Sequence, residues 1–221
     1  MARVRAKTME LTKEQIGDLL DRLLEVHPEP KCELNYSSTF ELLVAVILSA
    51  QCTDKRVNEV TKVLFEKYNK PEDFAALRQE ELEKLIYSCG FYRSKAAHII
   101  SCSRDITERF GGKVPEDFDS LLSLAGVGRK TANVVAGVAF GKQTMAVDTH
   151  VLRLANRIGF ICSKSPLEVE KRLVKLIPTE RLTQAHHLLI LHGRYICTAR
   201  RPNCAACPIT SYCKFFNEGG I

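Results

Sequence analysis

The sequence predicts an all-α protein, on three observations. Apolar residues recur at helical spacing, helix-start signals punctuate the chain, and the apolar–polar alternation of strands is nearly absent. The 221 residues suffice for one large domain or two small ones with a real core. Hydrophobic residues make up 45% and charged residues 26%, ordinary proportions for a globular protein.

In chain order, Thr12 begins a T-x-x-Q capping box leading into the stripe Ile16, Leu19, Leu20, Leu23 and Leu24. Ser38 and Glu41 form a second box, before a helix so apolar that most of its sides should be buried. Asp54 is placed to cap a third helix, with Val57, Val60 and Leu64 on its inner face. Pro71 suits the first turn of a short helix. Leu82, Leu85 and Ile86 mark another, for which Gly90 is the expected C-terminal cap. Ser94 is expected to open the next helix, which runs to about Phe110 and stops at Gly111-Gly112. Asp117 to Leu124 is short and helical, and Ser165-Pro166-Leu167-Glu168 joins an N-cap, an N1 proline and an N3 glutamate. A last helix covers roughly Glu180 to Tyr195. No repeat or low-complexity linker interrupts the chain, so composition marks no domain boundary.

Composition sets some classes aside. The longest apolar stretch, Phe40 to Ala50, is too short to span a bilayer and carries Glu41. Met1 to Lys7 is basic but lacks an apolar core, which argues against a secretion signal. The formal net charge of +6 is compatible with a polyanionic partner without requiring one. Nine cysteines without a secretion signal point to a reducing compartment rather than a disulfide framework. Cys32, Cys52, Cys89, Cys102 and Cys162 read as small buried hydrophobes.

The other four, Cys197, Cys204, Cys207 and Cys213, form C-x6-C-x2-C-x5-C directly after the last helix. Thiols gathered this closely beside Pro202 and Pro208 point to a bound metal. Spacing leaves zinc and an iron–sulfur cluster both open. Arg194, Arg200, Arg201 and Lys214 interleave with them, either to meet phosphates or to balance anionic thiolates.

A second motif runs Leu124-Ala125-Gly126-Val127-Gly128-Arg129-Lys130-Thr131 and joins two helical stretches. Two glycines allow a tight turn and a close approach to a ligand. The amides opening the next helix, with its dipole, can take one phosphate. Leu124 and Val127 supply apolar anchors, while the strand and acidic ribose partner of a dinucleotide fingerprint are missing. A helix-hairpin-helix gripping one DNA backbone, with Gly126, Val127, Gly128 and Arg129 as contacts, is the better reading. Further on, Asp148 in Ala146-Val147-Asp148-Thr149-His150 reads by itself as a helix N-cap.

Several stretches together carry a resemblance. They are Phe40-Glu41-Leu42-Leu43, Leu48-Ser49-Ala50-Gln51-Cys52-Thr53-Asp54, Gly90-Phe91-Tyr92-Arg93-Ser94-Lys95, Gly126 to Val135, Ala146 to His150, and Leu191-His192-Gly193-Arg194-Tyr195 running into the cysteine loop. In this order, over nearly the whole chain, the sequence resembles the endonuclease III family within the helix-hairpin-helix DNA glycosylase superfamily. Ala125 stands where that family usually has proline, and Phe91 where leucine is common. About ten N-terminal residues are additional to its shorter members.

The resemblance implies two helical domains: a barrel over 32–142 that includes the hairpin, and an iron–sulfur domain formed by both chain ends, 1–31 and 143–221. It implies a [4Fe–4S] cluster on the four cysteines, and Lys130 and Asp148 on opposite walls of an interdomain cleft. The activity implied is that of a bifunctional DNA glycosylase and AP lyase, which removes oxidised pyrimidines and cuts 3′ to the abasic site by β-elimination. Lys130 is its nucleophile and Asp148 its essential carboxylate. Burial and the helix N-terminus should help Lys130 lose its proton, while Asp148 opposes that. The target base must leave the stack, with Gln51 and Phe91 matching residues that fill the gap. His150 either lines the pocket or makes a structural hydrogen bond, whereas His186, His187 and His192 suit packing roles. The implied partner is double-stranded DNA with damaged bases or abasic sites, met by a monomer without membrane association. Its implied place is the cytoplasm with the nucleoid, or the nucleus in a eukaryote. The rivals are a monofunctional glycosylase, whose branch lacks the hairpin lysine, and a non-catalytic DNA-binding or redox module, which would need neither Lys130 nor Asp148.

Overall fold

A computed structural model describes residues 11–220; the basic run Met1–Lys7 and most of the N-terminal extension lie outside them. The described residues form helices and turns without a strand. By contacts, the chain divides into two compact units, Cys32–Lys142 and the paired ends Met1–Lys31 with Gln143–Ile221.

In the Cys32–Lys142 unit, helix α2 (Thr39–Ser49) is the hub. Nine of its eleven residues, Phe40 to Leu48, are buried, Glu41 among them, as so apolar a helix requires. Helices α3 (Asp54–Lys67), α6 (Tyr92–Phe110) and α8 (Arg129–Phe140) pack on it, α4 (Pro71–Ala76) and α5 (Gln79–Ile86) pack on α6, and α7 (Phe118–Ser123) packs on α8. Leu42, Leu43, Leu48, Leu64, Phe74, Leu82, Ile86 and Ile99 are all but sealed from solvent. Each contributes about 1.5–3 kcal/mol over an exposed position.

In the other unit, α1 (Lys13–Val26) packs against α11 (Leu182–Tyr195), and α9 (Thr149–Ile158) touches α10 (Pro166–Leu176), α11 and the short α12 (Lys214–Asn217). The Thr12 box forms with both arms: Gln15 N donates to Thr12 Oγ1 at 3.3 Å and Thr12 N to Gln15 Oε1 at 2.9 Å. Ile16, Leu19, Leu20 and Leu23 are buried, as their stripe predicts.

Several local expectations are corrected. Thr53, not Asp54, caps α3, accepting from Arg56 N at 3.3 Å, because the helix begins at Asp54 itself. Ser38 caps α2 through Glu41 N, but the Glu41 carboxylate reaches back one residue further, to Ser37 N. Helix α5 ends at Ile86, four residues before Gly90. The left-handed residue in that loop is Phe91 (φ 58°), which leads straight into Tyr92 and leaves Ser94 inside the first turn of α6. Helix α11 starts at Leu182 after a 3-10 turn, Thr179–Arg181. Cys162 is exposed and Cys32 and Cys52 are half-buried; only Cys89 and Cys102 of the scattered five are fully buried.

Candidate functional site

The glycine hairpin is built as its residues suggest. Leu124 and Val127 are buried beneath it, and Val127 N donates to Leu124 O at 3.1 Å, closing the turn. Gly126 has φ 76°, and a Cβ there would lie 2.8 Å from the His98 Cβ, so both conformation and space demand glycine. Gly128 meets nothing within 4 Å on its Cβ side, which leaves the backbone open to an approaching ligand. Helix α8 begins right after it without a side-chain cap, unlike α1, α2, α3, α7, α9 and α10. Its amides and dipole therefore form a ready anion site. The Arg129 guanidinium sits 5.3 Å from the centre of the Phe118 ring. Lys130, the second residue of α8, is exposed rather than buried. A lysine in the first turn of a helix projects from the surface unless a neighbouring element covers it.

Asp148 belongs to the other unit and does cap α9. Its Oδ1 accepts from His150 N at 2.9 Å and Val151 N at 2.8 Å, while His150 Nδ1 lies 2.9 Å from Oδ2. The side chain is 14% exposed. Three contacts thus fix a carboxylate that still reaches the surface, and His150 serves as its hydrogen-bond partner.

Gln51 and Phe91 come together in the structure. They are the two non-glycine residues with positive φ among the described residues, at 53° and 58°. Such backbone costs of order 1–3 kcal/mol and persists only where the surroundings enforce it. Both side chains are exposed, Phe91 at 67%, so Phe91 is not a core aromatic. A Cβ on Gly90 would stand 3.4 Å from the Gln51 carbonyl oxygen, so the two turns lie side by side. Beneath them Lys95, buried in α6, donates to Leu48 O at 2.8 Å and stitches the end of α2 to α6.

The cysteine loop is framed by residues the sequence reading passed over. Arg153 Nη2 donates to Gly193 O at 2.8 Å and Cys197 O at 3.1 Å. Arg157 Nη1 donates to Cys197 Sγ at 3.2 Å and Thr198 O at 2.7 Å, its Nη2 to Ala199 O at 2.8 Å, and its guanidinium stands 4.8 Å from the centre of the Phe215 ring. Their i, i+4 spacing was the available signal. His192 Nε2 lies 3.3 Å from Cys207 Sγ. From α1, Asp18 takes the Tyr212 hydroxyl and Arg22 lies over the Tyr212 ring. Cys197, Cys204, Cys207 and Cys213 all line one cavity, walled also by Ile196, Pro202, Phe215 and Phe216. Burial pushes the Cys207 thiol up to about 11 and raises Cys213 as well, so these become thiolates only with a cationic occupant. Among the described residues no three His, Cys, Asp or Glu side chains converge on a single-ion site. Four thiols around one cavity are the donor set that an iron–sulfur group takes, and the Arg157 N–H directed at Cys197 Sγ suits anionic thiolates.

A helical fold with this hairpin and this loop defines a class, the helix-hairpin-helix enzymes of DNA base excision repair. The family model of the HhH-GPD superfamily base excision DNA repair protein matches residues 44–179, and that of the iron-sulfur binding domain of endonuclease III matches residues 197–213, from Cys197 to Cys213. Endonuclease III of Bacillus subtilis (strain 168) is 52% identical over 206 residues, 92% of this chain and 94% of the relative. The chain belongs to the endonuclease III family. A trapped covalent endonuclease III–DNA intermediate superposes with TM-score 0.91 at 49% identity, over 96% of this chain and all of that one. A non-covalent endonuclease III–DNA complex gives 0.90 at 49%, over 95% and 98%. The protein thus has a DNA glycosylase fold with an iron–sulfur domain, and both of these structural neighbours are complexes with DNA. Among the described residues no helix is long and apolar enough to cross a membrane.

Proposed function

We propose that this chain removes oxidised pyrimidines from duplex DNA and then cuts the strand 3′ to the abasic site, acting as a monomer. The observation that carries the reading is Lys130, presented in the first turn of α8 directly behind an uncapped phosphate-binding hairpin. The family's trapped covalent DNA intermediate supports a nucleophile of this kind. The Lys130 amine, once neutral, attacks the sugar C1′ and the base departs with the bonding pair. The C1′–O4′ bond then breaks, O4′ taking up a proton as the attached amine loses one. The resulting iminium acidifies C2′, and loss of a C2′ proton expels the 3′ phosphate by β-elimination.

Asp148 is the anionic partner. Its carboxylate is fixed by two backbone amides and His150, so it stabilises positive charge developing on the sugar without first reorganising. Gly126 to Arg129 hold the backbone phosphate, while Gln51 and Phe91 enter the gap left by the flipped base. Cys197, Cys204, Cys207 and Cys213 hold a [4Fe–4S] cluster, which when bound supplies a cross-link that fixes the loop and its arginines.

Borohydride trapping on a duplex bearing one oxidised pyrimidine tests this. A covalent protein–DNA adduct that disappears in Lys130→Ala is expected. Excision with no adduct on several lesions would leave a monofunctional glycosylase; binding alone would leave a non-catalytic module.

A further inference from the structure

Helix α11 ends against the cysteine loop, and His192 in its last turn meets that loop twice. Its carbonyl accepts from Cys197 N at 2.7 Å, and its ring Nε2 lies 3.3 Å from Cys207 Sγ. The residue is 1% exposed. His27, which follows α1, closes over it edge to face, with ring centres 5.9 Å apart and planes at 78°. The other ring nitrogen, Nδ1, is buried with no hydrogen-bond partner among the described residues. The proposed chemistry does not use this imidazole.

These contacts select one position for the ring proton. A thiolate that ligates a metal holds no proton and can only accept a hydrogen bond. A neutral imidazole carries one N–H and one bare acceptor nitrogen. Placing the proton on Nδ1 would bury a donor with nothing to donate to, and would turn the Nε2 lone pair toward an anionic sulfur. Protonating both nitrogens would bury a charge as well as an orphaned donor. With the proton on Nε2, the N–H meets sulfur and only an acceptor nitrogen goes unpaired. We propose that neutral His192 donates an Nε2–H···S hydrogen bond to the Cys207 thiolate and thereby sets the reduction potential of the iron–sulfur group. This rests on the reading of the four cysteines as cluster ligands.

The consequence follows from charge. Uptake of one electron from an outside donor breaks no bond and leaves the His192 proton on Nε2, but it adds negative charge that the ligand sulfurs share. A donor aimed at sulfur therefore binds the reduced form more strongly than the oxidised one, and hydrogen bonds of this kind help to fix such potentials. Arg157 aims a second N–H at Cys197 Sγ, but its guanidinium is shared with the Thr198 and Ala199 carbonyls. The His192 ring is buried, and Cys207 is its one hydrogen-bond partner among the described residues.

The test uses the full-length, cluster-loaded protein, with protein-film voltammetry as the readout and the electrode as electron donor. Iron, sulfide and zinc contents are measured first. His192→Phe fills the buried space without a donor, whereas His192→Gln places an amide N–H near the Nε2 position. In His192→Phe the reduced-to-oxidised ratio at a fixed potential is expected to drop about ten-fold, a fall of about 59 mV for one electron, and Gln should restore most of it. Nuclear magnetic resonance of isotope-labelled histidine in the wild-type protein, which needs no variant to fold, should find Nε2 protonated and Nδ1 bare. A proton on Nδ1 overturns the proposal, as does an unmoved potential in loaded His192→Phe. An equal fall with Gln assigns the effect to packing and overturns it too. Wild-type protein that holds zinc in place of iron removes the cluster reading and the proposal with it, whereas a loaded cluster indifferent to residue 192 removes the proposal alone.

Discussion

Gln51 and Phe91 hold backbone angles that suit glycine, and neither is explained by its own packing. Phe91 exposes two-thirds of its surface while its φ is 58°. Strain kept on an exposed aromatic is an investment in function, so relieving it should separate stability from activity. Gln51→Gly and Phe91→Gly are each expected to raise the unfolding free energy by about 1 kcal/mol in denaturant titrations, with excision lowered. Asp148 allows the converse separation. Asp148→Asn keeps an oxygen for the His150 and Val151 amides and should fold normally, yet lose excision by two orders of magnitude or more in single-turnover kinetics, roughly the effect of removing one electrostatic stabiliser. Lys130 and Asp148 were singled out through the family resemblance; by itself Asp148 reads as the helix N-cap that it is. The angles at 51 and 91 were not legible, since nothing in a glutamine or a phenylalanine announces a left-handed turn; the neighbouring Gly90 misdirected the reading of that loop. Nor was the exposure of Lys130, which depends on what packs beside α8.

Helix α9 carries two jobs on one ten-residue element. Asp148 caps its start, and Arg153 and Arg157, one turn apart, hold the Cys197–Ala199 segment of the cysteine loop. Asp148→Ala should accordingly cost about 0.5–2 kcal/mol as a lost cap, a penalty that Asp148→Asn avoids. Arg157→Met keeps an unbranched apolar stem but removes three hydrogen bonds, including the one to Cys197 Sγ. Faster bleaching of the cluster's visible absorption under a chelator is expected, with the helical content unchanged by circular dichroism. Cap residues were readable where a hydroxyl opened a clear start signal, as at Thr12, Ser38 and Ser165. Asp54 was misread because it adjoins Thr53 and either residue can cap. The arginine contacts span some forty residues of sequence, a distance over which local patterns carry no information.

The whole molecule pairs a continuous unit with one assembled from both chain ends, and the second contains the buried histidines of α11. Burial, aided by Arg194, holds His187 below its ordinary value of 6.5. Between the two values the unfolded chain binds more protons, so stability is complete above the ordinary value and is lost as pH falls through the window beneath it. Denaturation midpoints should drop as the pH falls below 6.5, and His187→Phe should flatten that slope. Architecture at this scale was legible in part: helix content followed from periodicity, but no linker or composition change marks Lys31–Cys32 or Lys142–Gln143. A helix that packs on a partner 150 residues away also meets it late in time. On the ribosome α1 emerges with Ile16, Leu19, Leu20 and Leu23 uncovered, and α11 is still untranslated when the central unit is complete. At roughly 5–20 residues per second the wait lasts on the order of ten to thirty seconds. During that interval the apolar face of α1 is a substrate for chaperones, and slowing translation of the last third of the message should deepen that dependence.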